Sequence, residues 1–149
     1  MKGISISPIY AQAIACGDKS IEARTWSSKY RGELLICSTA DPGYADLRPV
    51  SITGHALAVA DMVDCRPFVD GEDQARAFFN EPFSGYAFVL ENIRPIVPVA
   101  IKGSQRLWNV PEDMEFEFLD LTDWALYSWW DEHGYLSLDA VLDFYGIEL

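Results

Sequence analysis

A chain of 149 residues has the length of one domain, and half of it is apolar, enough to bury a sizeable core. Eleven Lys and Arg against 23 Asp and Glu give a formal charge of −12, which argues against nonspecific coating of nucleic acid or docking on anionic membranes. The imbalance is local: residues 1–106 carry all eleven cations with twelve acids, whereas residues 107–149 carry eleven acids and no Lys or Arg.

In chain order, Ile4-Ser5-Ile6 alternates briefly as a strand, and Ser7-Pro8 supplies a cap and a proline at the first helical position. The spacing of Ile9, Ala13 and Cys16, with Tyr10 and Ile14, predicts a short amphipathic helix over 8–16, stopped by Gly17. The same stretch faintly resembles an export signal, but Ser5, Ser7, Pro8 and Gln12 interrupt it, and no leader is expected. From Lys19 the period becomes two, with Ser20, Glu22 and Arg24 on one side of a strand and Ile21, Ala23 and Thr25 on the other.

Residues 33–39 read as a short apolar strand, Asp41-Pro42-Gly43 as a turn and 54–65 as a long strand. Residues 71–81 read as a helix with Ala75, Phe78 and Phe79 inward. Two further strands, 86–93 and 97–101, are expected on either side of the break at Pro95 and Pro98. A turn at Lys102-Gly103-Ser104 leads to a last short strand at 106–110.

Beyond Pro111 the texture changes. Residues 114–121 alternate acidic with apolar, Thr122 caps a helix running to Glu132, and His133-Gly134 ends it. Ser137 opens a second helix with Leu138, Val141, Leu142 and Tyr145 on one face. The pattern is α+β: a small β-barrel over residues 1–110 with flanking short helices, and a helical acidic extension over 111–149 packed on or beside it. Trp124, Leu126, Tyr127, Trp129 and Trp130 are too apolar for a disordered tail. The extension is expected to pack this stripe on the barrel; a protein partner, or mimicry of nucleic-acid charge, is the sharper alternative.

Cys16, Cys37 and Cys65 are sparse and in no metal-ligand spacing, so reduced thiols and a cytoplasmic location are expected. Asp131, Glu132 and His133 are adjacent at a helix end and cannot face one ion, and His55 sits mid-strand as a structural residue. No metal, cofactor or membrane span is expected.

The densest polar constellation is Gly17-Asp18-Lys19-Ser20-Ile21-Glu22-Ala23-Arg24. Its spacing leaves two readings open. One is a solvated strand face with a Glu22–Arg24 pair of little energetic value. In the other, Glu22 accepts from a base amino group or ribose hydroxyl, while Lys19 and Arg24 address phosphate or carbonyl oxygens. Trp26, Tyr30 and Trp108 are candidates to stack on a base, a contact worth roughly 1–3 kcal/mol each, and Arg31 and Lys29 beside Tyr30 are candidate phosphate ligands, with ordinary surface positions as the alternative. Ser38, Thr39 and Ser104 lack a paired His, so a hydrolase triad is not supported.

Gly17-x-Lys19-x-x-Glu22-x-Arg24, followed by Thr25-Trp26 and Lys29-Tyr30-Arg31-Gly32-Glu33-Leu34-Leu35-Ile36, resembles the signature block of the ASCH domain family. The run from Gly85 to Pro95, with Lys102 to Trp108, resembles that family's closing strands, so the likeness covers roughly residues 4–110. It implies a PUA-like β-barrel whose GxKxxExR segment lines a cleft for RNA or a modified nucleoside or nucleotide, with Lys19, Glu22 and Arg24 as the site. Short bacterial members hydrolyse the acetyl amide of acetylcytidine with a Lys at the position of Lys19 and a Thr where this chain has Glu22. The Lys carries over and the Thr does not. A catalytic reading would therefore rest on Lys19 and Glu22, with Glu22 as general base, and Glu72 and Glu81 are the candidates for the family's third, acidic partner. Other members are metal-stimulated ribonucleases or parts of transcription coactivators. Binding of RNA or a nucleoside leads; hydrolysis in the same cleft and an acidic interaction module stand as alternatives.

Overall fold

The computed structural model describes residues 1–41, 51–137, 139, 143 and 146. Its elements run β1 (Lys2–Ile6), α1 (Pro8–Cys16), β2 (Ile21–Arg24), β3 (Gly32–Ser38), β4 (His55–Pro67), α2 (Gln74–Ala77), β5 (Tyr86–Ala100), β6 (Leu107–Asn109) and α3 (Asp123–Glu132). The strands form one sheet in the order β2-β5-β4-β3-β1-β6, antiparallel except for the parallel pair β1 and β3. Three register shifts between β4 and β5 and one between β3 and β4 bend the sheet into a curled half-barrel. The curl brings the β2 edge back toward β1, where Arg24 donates to the Ser5 carbonyl at 2.9 Å. This is an α+β fold of the PUA-like kind.

Alternation along β3 sets the two faces. Leu34 and Ile36 point into the main core with Ile4, Ile6, Ala58 and Phe88, while Leu35 and Cys37 point outward onto Val59, Ile96 and Val110. α1 lies inside the curl, and seven of its nine residues are buried. It is thus wrapped on most sides rather than along one amphipathic stripe, because the sheet surrounds it and α3 also touches it. Burial pushes the Cys37 thiol up to about 12 and raises that of Cys16 as well, which keeps both protonated and unreactive at neutral pH.

Two expectations are corrected. The helix anticipated over 71–81 shrinks to Gln74–Ala77, with Phe78 in the left-handed region at φ 65° and 42% exposed rather than inward. Ala75 is exposed and Phe79 half-buried, so Ala77 carries the buried side of this turn. The cause is Asp73, whose carboxylate takes a two-pronged bond from Arg66 (2.7 and 2.9 Å) and the Val69 N–H (2.8 Å), closing the segment into a tight turn. The strands expected at 86–93 and 97–101 are one continuous strand, β5. Its first half pairs with β2; in its second half Pro95 accepts from Leu119 N–H and Val97 donates to the Glu117 carbonyl, so the prolines fall where the neighbour changes.

The Arg66–Asp73 contact makes one pH dependence explicit. The Arg66 guanidinium holds the Asp73 carboxyl below its usual value of 3.8. A folded value below the unfolded one gives stability that is present above about pH 4 and is lost as pH falls through the folded value. Asp73→Asn is expected to flatten this acid limb and to lose about 1–2 kcal/mol at pH 7, read by urea denaturation between pH 2 and 7. An unchanged acid limb would assign the acid sensitivity to other carboxylates.

The segment after β6 alternates as anticipated, with Met114 and Phe116 on the outer cluster and Leu119 and Leu121 against the main core. In α3, Leu126, Tyr127 and Trp130 are buried in the main core, Trp130 completely. The residues of the expected second helix, Leu138, Val141, Leu142 and Tyr145, lie outside the described residues, as do Pro42 and Gly43 of the expected turn. Among the described residues no helix is long and apolar enough to cross a membrane.

Candidate functional site

The backbone between α1 and β2 builds the site. Gly17 adopts φ 90°, and the N–H groups of Gly17, Asp18 and Lys19 close the helix end onto the Ile14 and Ala13 carbonyls. This turn sends Lys19 inward. On β2, Glu22 and Arg24 are two apart and project from one face, toward the end of β1.

Lys19 is 2% exposed. Its Nζ donates to the Ile21 carbonyl at 2.7 Å and the Ala77 carbonyl at 2.6 Å, and stands 3.3 Å from Glu22 Oε1. An ammonium has three hydrogens, and three acceptors surround this one. The Tyr10 ring lies 5.2 Å from the same nitrogen. Burial pulls the Lys19 ammonium below the ordinary lysine range, opposed by the adjacent Glu22 carboxylate and reinforced by Arg24. Glu22 Oε2 accepts from Arg24 Nε at 2.9 Å and lies 2.8 Å from an Nη of the same guanidinium. The carboxylate is therefore fixed between two cations, and Arg24 is fixed between Glu22 and Ser5.

Three adjoining cavities of about 380, 390 and 400 Å³ share Ser5 and Thr39 and together form a cleft. The first holds Lys19, Glu22 and Arg24 beside Tyr10, Phe79 and Phe83. The second adds Trp26 and Arg106 to Arg24, and the third runs under Lys102 and Gly103. Among the described residues, no three His, Cys, Asp or Glu side chains come together as a metal-ligating group.

The constellation Lys19, Glu22, Arg24 is brought together, with Trp26 in the adjoining cavity, edge-on to Phe88 at 5.0 Å. The other sequence candidates go elsewhere. Tyr30 packs on the main core and donates to the Glu33 carbonyl at 2.5 Å. Arg31 donates to the Ser28 and Tyr30 carbonyls and faces Asp64 at 3.6 Å. Trp108 covers Gly3 on the outer cluster, its ring filling the place of a Gly3 side chain. Glu72 and Glu81 are exposed and line none of these cavities. Ser5, Thr39, Tyr10 and Arg106 carry no local signal of their own; they reach the cleft through the curl of the sheet.

Among the described residues the chain is a curled six-stranded sheet with three short helices, and its Lys19–Glu22–Arg24 cleft lies at the α1–β2 turn. The chain matches the ASCH domain family over residues 4–133 and belongs to it. It is similar to human activating signal cointegrator 1, with 24% identity over 126 residues, 72% of this chain and 22% of that protein. The mouse counterpart is 23% identical over the same shares, so the chain spans about a fifth of the length of these relatives. Among solved structures it resembles the ASCH protein of Zymomonas mobilis, at TM-score 0.58 and 22% identity, covering 75% of this chain and 88% of that one. A mutant of that protein gives the same TM-score, covering 74% and 90%. At this identity the likeness speaks for the fold.

Proposed function

We propose that this domain binds RNA, or a modified nucleoside or nucleotide, by seating one base in the Lys19–Glu22–Arg24 cleft. The observation that carries the reading is the fixed carboxylate of Glu22. Lys19 and Arg24 hold it rigidly, and its remaining lone pairs border a cavity flanked by Tyr10, Phe79 and Phe83. A carboxylate so placed accepts from the exocyclic amino group of cytosine or adenine, as acidic side chains do for cytosine. Arg24 offers its donors to a carbonyl oxygen of the same base, and Trp26 supplies an aromatic face next door. Lys19 acts on Glu22 rather than on ligand, because its three hydrogens are committed within the protein.

The same commitment weighs against hydrolysis. A Lys surrounded by three acceptors is poorly placed to take a proton from substrate, and Glu22 replaces the threonine nucleophile of the deacetylating relatives. Fluorescence titration with cytidine and a short single-stranded RNA is expected to show binding that weakens about tenfold or more in Glu22→Gln, which keeps the shape but loses the charge. Equal affinities for the two proteins would overturn the reading. Chromatography of acetylcytidine incubated with the protein is expected to show no release of cytidine.

A further inference from the structure

Glu22 occupies one end of the cleft, and the far end, at the turn before β6, has a different chemistry. Among the described residues, neither the cavity beside Trp26 nor the one under Gly103 is lined by a carboxylate, and Glu22 in the first cavity is the one acid lining any of the three. Two cations, Lys102 and Arg106, stand there with the neutral donors Ser104 and Gln105 between them. Both are exposed, and among the described residues neither holds a carboxylate within ion-pair distance, whereas Lys19, Arg24, Arg31, Arg66 and Arg94 all do.

Lys2, Lys29 and Arg76 also lack an ion pair among the described residues but line none of the three cavities, whereas Lys102 and Arg106 stand four residues apart on one turn that does. The turn is also held in place. A side chain on Gly103 would overlap the Ser5 hydroxyl, so the backbone sits directly on β1 at one of the two residues shared by all three cavities. Arg106, at φ 57°, lays its guanidinium 5.1 Å over the Trp26 ring and lines the same cavity as Trp26 and Arg24. An arginine fork, a lysine point charge and neutral donors, with no competing acid among the described residues, are a donor set for a phosphoryl oxyanion. That compartment adjoins the Glu22 cavity through Ser5 and Thr39, as a phosphate adjoins its base through the sugar.

We infer that Lys102, Arg106 and the turn between them form a phosphate subsite, so that the ligand is a nucleotide or a nucleotide of an RNA chain rather than a free nucleoside. The inference rests on the base-binding reading of the Glu22 cavity. Calorimetric titration of the whole chain with cytidine, its 3′- and 5′-monophosphates and a short single-stranded RNA tests it. At least one phosphorylated ligand is expected to bind about tenfold or more tightly than cytidine. That ratio is expected to fall to near one in Lys102→Gln/Arg106→Gln and to persist in Lys29→Gln, an exposed lysine outside the cleft. Equal binding of cytidine and every phosphorylated ligand, or a ratio that survives the double substitution, overturns the subsite and leaves the base reading standing. Absence of binding by any of the four removes the base reading and the subsite with it.

Discussion

Lys19→Met is expected to be among the most damaging single substitutions in the molecule, lowering stability by about 3–5 kcal/mol. The methionine fills much of the lysine volume, so the loss is electrostatic rather than a cavity. It leaves Glu22, 6% exposed, without one of its two cations, and removes the hydrogen bonds to the Ile21 and Ala77 carbonyls. In a chain of 149 residues this corresponds to a fall in Tm on the order of 10 °C. The pair itself is not a net source of stability, because taking both charges out of water offsets their attraction. Lys19→Met/Glu22→Leu is therefore expected to recover most of the loss, since Arg24 keeps its bond to the Ser5 carbonyl and partial contact with water. A double-mutant cycle by urea denaturation measures the coupling. A loss below about 1 kcal/mol for Lys19→Met alone would show that water reaches this site and that the carboxylate is not held as described.

The second large effect lies at the other end of the chain. Trp130 is fully buried, in the same apolar cluster as Ile14, Leu34 and Phe88, and Trp130→Ala is expected to lose about 3–5 kcal/mol. Among the described residues its buried indole nitrogen has no hydrogen-bond partner, so Trp130→Phe sacrifices no polar contact there. That variant is expected to lose about 1–2 kcal/mol, from lost ring volume alone. Thermal denaturation of the two variants separates a helix that completes the core from one that merely rests on it. In the latter case alanine and phenylalanine would both be nearly silent. The family match, which runs past β6 to residue 133, takes in this helix as well.

What the sequence discloses is what short range decides. Pro8 and Gly17 bracket α1 by their own backbone preferences, and the spacing of Lys19, Glu22 and Arg24 places them on one strand face whatever the rest does. The errors arise where a distant partner decides. Pro95 and Pro98 look like breaks until the register shifts against β4 and the 117–119 segment provide neighbours that need no proline N–H. The helix at 71–81 fails because Arg66, on β4, captures the Asp73 side chain. The cleft follows the same division. Its Lys-Glu-Arg core is legible from spacing and family likeness, whereas Ser5, Thr39 and Arg106 join it through the curl, and Trp108 is drawn to the outer face by the gap above Gly3.

The change of neighbour along β5 also bears on how the edge of the sheet is covered. Its second half, Asn92–Ala100 in chain terms 92–100, is rich in Ile, Val and Pro and would present an unpaired edge to any other chain with a free strand. The 117–119 segment covers part of that edge, and it carries Glu115, Glu117 and Asp120 within a few residues. The remaining borders are short: four residues in β2 and three in β6. Acidic side chains thus stand beside the covered part of this edge, where they disfavour the approach of another acidic strand.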